Sequence, residues 1–102
     1  MSYRVRFGPE AAAELQIAAR WYEDRHVGLG LAFLAAAVEV TVRWPESGGP
    51  IPEVEGLVLR LARVHRFSYH VVYLVADDVI HVLAVAHDRR RPCYWRARVE
   101  GE

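Results

Sequence analysis

Residues 3–7 alternate Tyr3, Val5 and Phe7 with Arg4 and Arg6, the period-two pattern of a half-buried strand. Gly8-Pro9 ends it, and Pro9 suits the first position of a helix with Glu10 near the positive dipole end. Ala11, Leu15, Ala18 and Tyr22 then recur at 4-3-4 spacing, which predicts a helix ending near Arg25, before the turn at Gly28 and Gly30. Phe33, Ala37, Val40 and Trp44 repeat that stripe, so a second helix from about Leu29 to Trp44 is expected to pack on the first as a hairpin. This helix is apolar on a further side, through Leu31, Leu34, Val38 and Val42, and after Gly30 only Glu39, Thr41 and Arg43 are polar. Ile17 and Trp21 likewise lie off the core stripe of the first helix. The pattern leaves two readings open: burial within the domain, or an apolar surface kept for a partner.

Residues 45–56, PESGGPIPEVEG, contain three Pro and three Gly and read as a loop. Three strands follow, over Leu57–His65, Tyr69–Val75 and Val79–His87, the last two joined as an antiparallel hairpin by the short Ala76-Asp77-Asp78 connection. The first of them is apolar with Arg60 and Arg63 interspersed, and the nearly continuous Val, Ile, Leu and Tyr of the last two predict central strands covered, at least partly, on both faces. The order strand, helix, helix, strand, strand, strand predicts one α+β domain over residues 1–102. It would hold an antiparallel-rich sheet with a helical hairpin on one face and a short basic tail. The first strand must return to the sheet as an edge or beside the last strand.

Composition narrows this. With 102 residues, 53% hydrophobic and 25% charged, the chain is long enough for one ordered core. Cys93 is the single cysteine, which excludes an internal disulfide framework and a cysteine-cluster zinc site. The polar opening lacks the apolar run of a secretory leader, and LGLAFLAAAV is too short to span a bilayer, so a cytoplasmic protein is expected. Net charge is zero but uneven: residues 1–59 carry five Arg and eight acids, residues 60–102 eight Arg and five acids. There is no lysine, so every fixed side-chain cation is a guanidinium, suited to two-point contacts with phosphates or carboxylates.

The candidate chemistry gathers in HDRRRPCYW, residues 87–95. Arg89, Arg90 and Arg91, with Arg96 beyond them, read as a solvated strand end, a dock for an acidic partner segment, or a contact for a nucleic-acid backbone. Trp95 is either an anchor packed on the sheet or a stacking platform. His26, His65, His70 and His81 are too scattered for a metal set, and Cys93 has no paired base.

The opening YRVRFGPEAAAEL, the helix ending ARWYEDR with GLGLAFL, the hairpin FSYHVVYLVADDVIHVLAVAH and the closing HDRRRPCYW together resemble the RelE/ParE superfamily of bacterial toxins from type II toxin–antitoxin modules. The resemblance implies the β-α-α-β-β-β fold and a small cytosolic toxin, without a cofactor, held inactive by an antitoxin encoded beside it. The closing motif and the WYEDR helix are more similar to the ParE-like branch, whose implied endpoint is inhibition of DNA gyrase and, through the toxin–antitoxin pair, plasmid stabilization. The alternative is a RelE-like, ribosome-dependent, metal-independent mRNA endoribonuclease; a third is a binding module that keeps the toxin fold without toxicity. For a nuclease, the resemblance implies His87 as acid or base, Tyr94 as its proton-transfer partner, and Arg60, Arg63 and Arg89 as phosphate clamps. The second-strand region lacks the lysine or glutamate that nuclease relatives supply, Glu53 and Glu55 falling in the preceding loop. His87 is otherwise a structural residue at a strand end. Trp21, Leu31, Leu34 and Val38 are the expected partner surface, for an amphipathic antitoxin helix with an extended tail or for a second copy of the chain.

Overall fold

The computed structural model describes residues 3–43, 49–50, 59–91 and 93–100. β1 (Arg4–Phe7) leads through Gly8 into α1 (Pro9–Arg25), a turn, and α2 (Leu29–Arg43). After β2 (Gly49–Pro50) come β3 (Arg60–Val64), β4 (Tyr69–Ala76), β5 (Val79–His87) and the short α3 (Arg96–Glu100). The five strands form one sheet in the order β1-β5-β4-β3-β2. β1 runs parallel to β5 and every other pair is antiparallel. The first strand therefore returns both as an edge and beside the last strand.

Most of the residue pattern translates directly. Tyr3, Val5 and Phe7 pack toward the core while Arg4 and Arg6 stay exposed. Pro9 begins α1, Glu10 sits in its first turn, and Arg25 ends it. Asp77 and Asp78 both adopt positive φ, 53° and 62°, closing a two-residue turn whose twist suits a hairpin. The α2 stripe departs from expectation: Phe33 and Ala37 are buried, but the buried side continues to Thr41 rather than Val40. Thr41 is tolerated there because its hydroxyl donates to the Val38 carbonyl at 2.8 Å. Within the expected loop, Gly49 and Pro50 pair with Leu61 and Arg60 as an edge strand, where a proline without an N–H costs no ladder bond. Trp44, Leu57, Pro92 and the rest of the 45–56 connector lie outside the described residues.

The sheet is covered on both faces. Ala11, Ala18, Phe33 and Ala37 of the helices bury Val71, Tyr73, Ile80, Val82 and Val85 on one face. Trp95 and Val99 bury Leu59, Val72, Leu83 and Ala84 on the other. β5 switches faces partway, because Val72 pairs with Ala84 and Tyr73 with Val82, leaving Leu83 as an extra residue. Leu83 and Ala84 consequently share the α3 side, and Val85 and His87 are returned to the helical side.

α2 approaches α1 closely at Gly30, where a Cβ would lie 2.5 Å from the Ala19 carbonyl oxygen. The Glu23 carboxylate accepts the N–H groups of Gly28 at 3.0 Å and Gly30 at 3.0 Å, satisfying donors that the first turn of α2 leaves open. These bonds hold the Glu23 carboxyl below its ordinary range.

Candidate functional site: the clasped basic tail

Among the described residues, β1 pairs with Val79–Val82 and no strand lies beside the second half of β5 on that edge. Glu14, one turn beyond Ala11 on the inner side of α1, reaches that edge and accepts the Val85 N–H at 2.9 Å. The tail closes over the same carboxylate. Arg98 donates through Nη1 and Nη2 to the two oxygens at 2.9 Å each, Tyr94 donates its hydroxyl at 2.6 Å, and Arg90 donates at 3.3 Å. Arg98 Nη1 also donates to the Leu83 carbonyl at 3.0 Å, on the residue that the bulge sets out of register. A carboxylate and a guanidinium thus replace the missing neighbour strand for Val85 and Leu83.

Burial alone would push the Glu14 carboxyl up, but the donors Arg98, Tyr94 and Val85 N–H outweigh it and hold the group below its ordinary range. The same contact keeps the Tyr94 phenol protonated: burial first, then the adjacent Glu14 charge, push it far up. Arg98 is held more firmly protonated by Glu14. The Arg90 guanidinium lies 3.8 Å from the Tyr94 ring centroid, a cation–π contact that continues the clasp.

The residues singled out in the sequence separate into distinct environments. His87 packs edge-on against Tyr69, with ring centroids 5.1 Å apart, and its Nδ1 accepts the Arg89 N–H at 3.1 Å. Tyr94 is bound to Glu14 instead. Arg63 pairs with Asp88 at 3.3 Å, and Asp88 also meets His70 Nδ1 at 3.0 Å. Arg60 stands opposite Tyr73 on β3. Of the arginine run, Arg90 turns back to Glu14, while Arg89 and Arg91 are exposed, as is Arg96.

Trp95 requires correction as a partner-contact residue: it is 4% exposed and is the anchor of the second core cluster. Leu34 is half-buried against the main core. Trp21, Leu31 and Val38 are exposed, and Ile17 and Val27 join them on the outside of the helical hairpin. On the α3 side of the sheet, Arg6, Leu74, His81, Leu83 and Val99 line a groove of about 390 Å³.

Glu14, Arg98, His70 and Asp88 were not among the candidate residues. Glu14 did leave a trace: it lies three residues after Ala11 and four before Ala18, so it falls on the buried stripe, where a carboxylate needs partners. The partners lie about eighty residues away in sequence, beyond the reach of any local pattern. Among the described residues, no group of three or more His, Cys, Asp or Glu is arranged to hold a metal ion, and no helix is long and apolar enough to cross a membrane.

Apart from the two-residue β2 and the short α3, the order is β-α-α-β-β-β, with a mixed sheet packed against two helices, which matches the ParE-like fold. A solved structure described as the chromosomal ParDE TA system from P. aeruginosa has this fold at a TM-score of 0.63, with 20% identity over 83% of this chain and 95% of that one. The family described as the ParE toxin of the type II toxin-antitoxin system, parDE, matches residues 5–92. The chain belongs to that family. A comparison with curated proteins finds no match.

Proposed function

We propose that this ParE-family toxin acts in the cytoplasm by binding rather than by cleavage, that it inhibits DNA gyrase, and that a cognate antitoxin neutralises it. The observation that carries this reading is the commitment of Tyr94, one of the two proton-transfer candidates, to another partner. The Tyr94 hydroxyl donates to Glu14 and the His87 Nδ1 accepts a backbone N–H. A phosphodiester-cleaving site needs such groups available to the 2′-hydroxyl and the leaving oxygen. The exposure of Ile17 and Trp21 on α1 and of Leu31 and Val38 on α2 supports a partner that lays an apolar helical face on the hairpin. The similar structure's description as a ParDE TA system supports a partner of the antitoxin kind.

The test is a supercoiling assay with purified toxin and gyrase, beside ribosomes programmed with mRNA. Binding predicts loss of supercoiling with intact mRNA, and substitutions at Arg89 and Arg91 that weaken inhibition more than His87→Ala does. Discrete mRNA fragments that vanish in His87→Ala and Tyr94→Phe would establish the nuclease instead. Normal growth on expression of the toxin alone would leave the non-toxic module.

A further inference from the structure

We propose that the end of the sheet formed by the 65–68 and 88–91 turns is a contact surface for a nucleic-acid backbone, with Arg63, Arg66, Arg89 and Arg91 as its phosphate ligands. Three neighbouring strands meet here. Arg63 is opposed to His70 across β3 and β4, and Tyr69 to His87 across β4 and β5. The Asp88 N–H donates to the Ser68 carbonyl at 2.9 Å and stitches the two turns together. With strands about 4.8 Å apart, the three strand ends that carry these arginines span roughly 10 Å.

Charge is the first observation. Within these two turns and at Arg63, five guanidinium groups are exposed against a single carboxylate, Asp88, four of them once Arg90 is set aside, and the Arg63 side chain is 71% exposed even while paired with Asp88. Arg90 is drawn away to Glu14 and Tyr94, so the run of three arginines contributes two to this surface. Because the chain as a whole has zero net charge, any attraction for a polyanion must arise locally.

The second observation is that, among the described residues, this patch carries no large exposed apolar side chain. Phe67, in the middle of the first turn, is buried. The exposed large apolar side chains among the described residues, Ile17, Trp21, Val27, Leu31 and Val38, all belong to the helical hairpin and its turn. A protein interface draws most of its affinity from a desolvated apolar or aromatic centre, with charge at the rim. A phosphodiester backbone requires only cations, and its binding is driven by counterion release. Guanidinium forks without an apolar centre match the backbone, whether of DNA or of RNA. The inference does not depend on the gyrase reading, because oligonucleotide binding is measured without gyrase and supercoiling inhibition with it.

The experiment is fluorescence anisotropy of the full chain with labelled single-stranded DNA and RNA oligonucleotides of matched sequence, across about 50 to 200 mM salt. Four phosphate contacts give log K against log salt a slope of about −2.8 on single strands, and each arginine removed lowers its magnitude by about 0.7. Arg89→Ala, Arg91→Ala and Arg66→Asn serve as variants, asparagine being a residue that tolerates the left-handed φ of 74° at that position. Arg20→Ala, on the exposed side of α1, changes the net charge equally and is expected to bind as the parent does. Preference between the DNA and RNA arms identifies the natural source of the backbone; binding in either supports the surface. Three results overturn it: no salt-dependent binding in either arm, equal loss in Arg20→Ala, or displacement of the oligonucleotide by lower concentrations of charge-matched polyglutamate, which would assign the patch to an acidic protein.

Discussion

Arg98 meets Glu14 with both ends of its guanidinium, Nη1 to Oε1 and Nη2 to Oε2, at 2.9 Å each. The pair joins the tail to the first helix around the edge of β5, and both side chains are largely sheltered, 16% and 13% exposed. Removing one partner leaves the other charge and the Val85 N–H without their contacts. Glu14→Ala is therefore expected to destabilise the fold by about 3 kcal/mol, read as a lower urea midpoint at unchanged slope. Arg98→Ala should cost a similar amount, and the double variant less than the sum.

Acid should undo the same contact. The Glu14 carboxyl lies below its ordinary 4.5 in the folded chain, so the unfolded state binds the proton more readily. The stability this contributes is complete above about pH 4.5 and is lost as pH falls through the lower folded value. Glu23, lowered by the Gly28 and Gly30 N–H groups, acts with the same sign. Urea midpoints followed into acid should fall steeply for the parent, less for Glu14→Gln, and least when Glu23→Gln is added.

Gly30→Ala sets helix propensity against packing. Alanine favours a helix by about 1 kcal/mol over glycine, but its Cβ would lie 2.5 Å from the Ala19 oxygen and 2.9 Å from the Glu23 Cβ. The helices must separate, and the expected net loss is about 1 to 3 kcal/mol in thermal or urea unfolding. Gly28→Ala meets no neighbour, yet its φ of 89° strains an L-residue, for a loss of about 1 kcal/mol.

The two tryptophans Trp21 and Trp95 should behave oppositely. Trp95→Ala opens a cavity against Leu59, Val72 and Leu83, with an expected cost of about 3 to 5 kcal/mol. Trp21 is 47% exposed, its ring covered by the Arg25 guanidinium at 3.4 Å, so Trp21→Ala should change stability by only about 1 kcal/mol or less. On the proposed function, pull-down with the cognate antitoxin should then show the converse: Trp21→Ala together with Leu31→Ser weakens the complex while leaving the fold intact.

Much of this molecule was legible in short-range pattern. The 3–7 alternation, the Pro9 start, the Ala11–Leu15–Ala18–Tyr22 stripe and the 76–79 turn each depend on residues a few positions apart, whose backbone preferences act before any tertiary contact exists. The quoted segments carried the family resemblance for the same reason, being continuous stretches in a set order. The Thr41 inversion was harder to read, because a hydroxyl that satisfies itself on the preceding turn can occupy a core position.

What the sequence alone determined, then, is the identity and order of β1, α1, α2, β3, β4 and β5 and the fold class, because local periodicity and turn chemistry specify those. The tertiary structure decided which arginines face solvent, that Trp95 is an anchor, and that Glu14 holds the tail. Those outcomes turn on the short β1 leaving half of β5 uncovered and on Leu83 bulging out of register. An unpaired backbone edge is a demand for donors and acceptors, and only the folded arrangement brings Glu14 and Arg98 together to meet it.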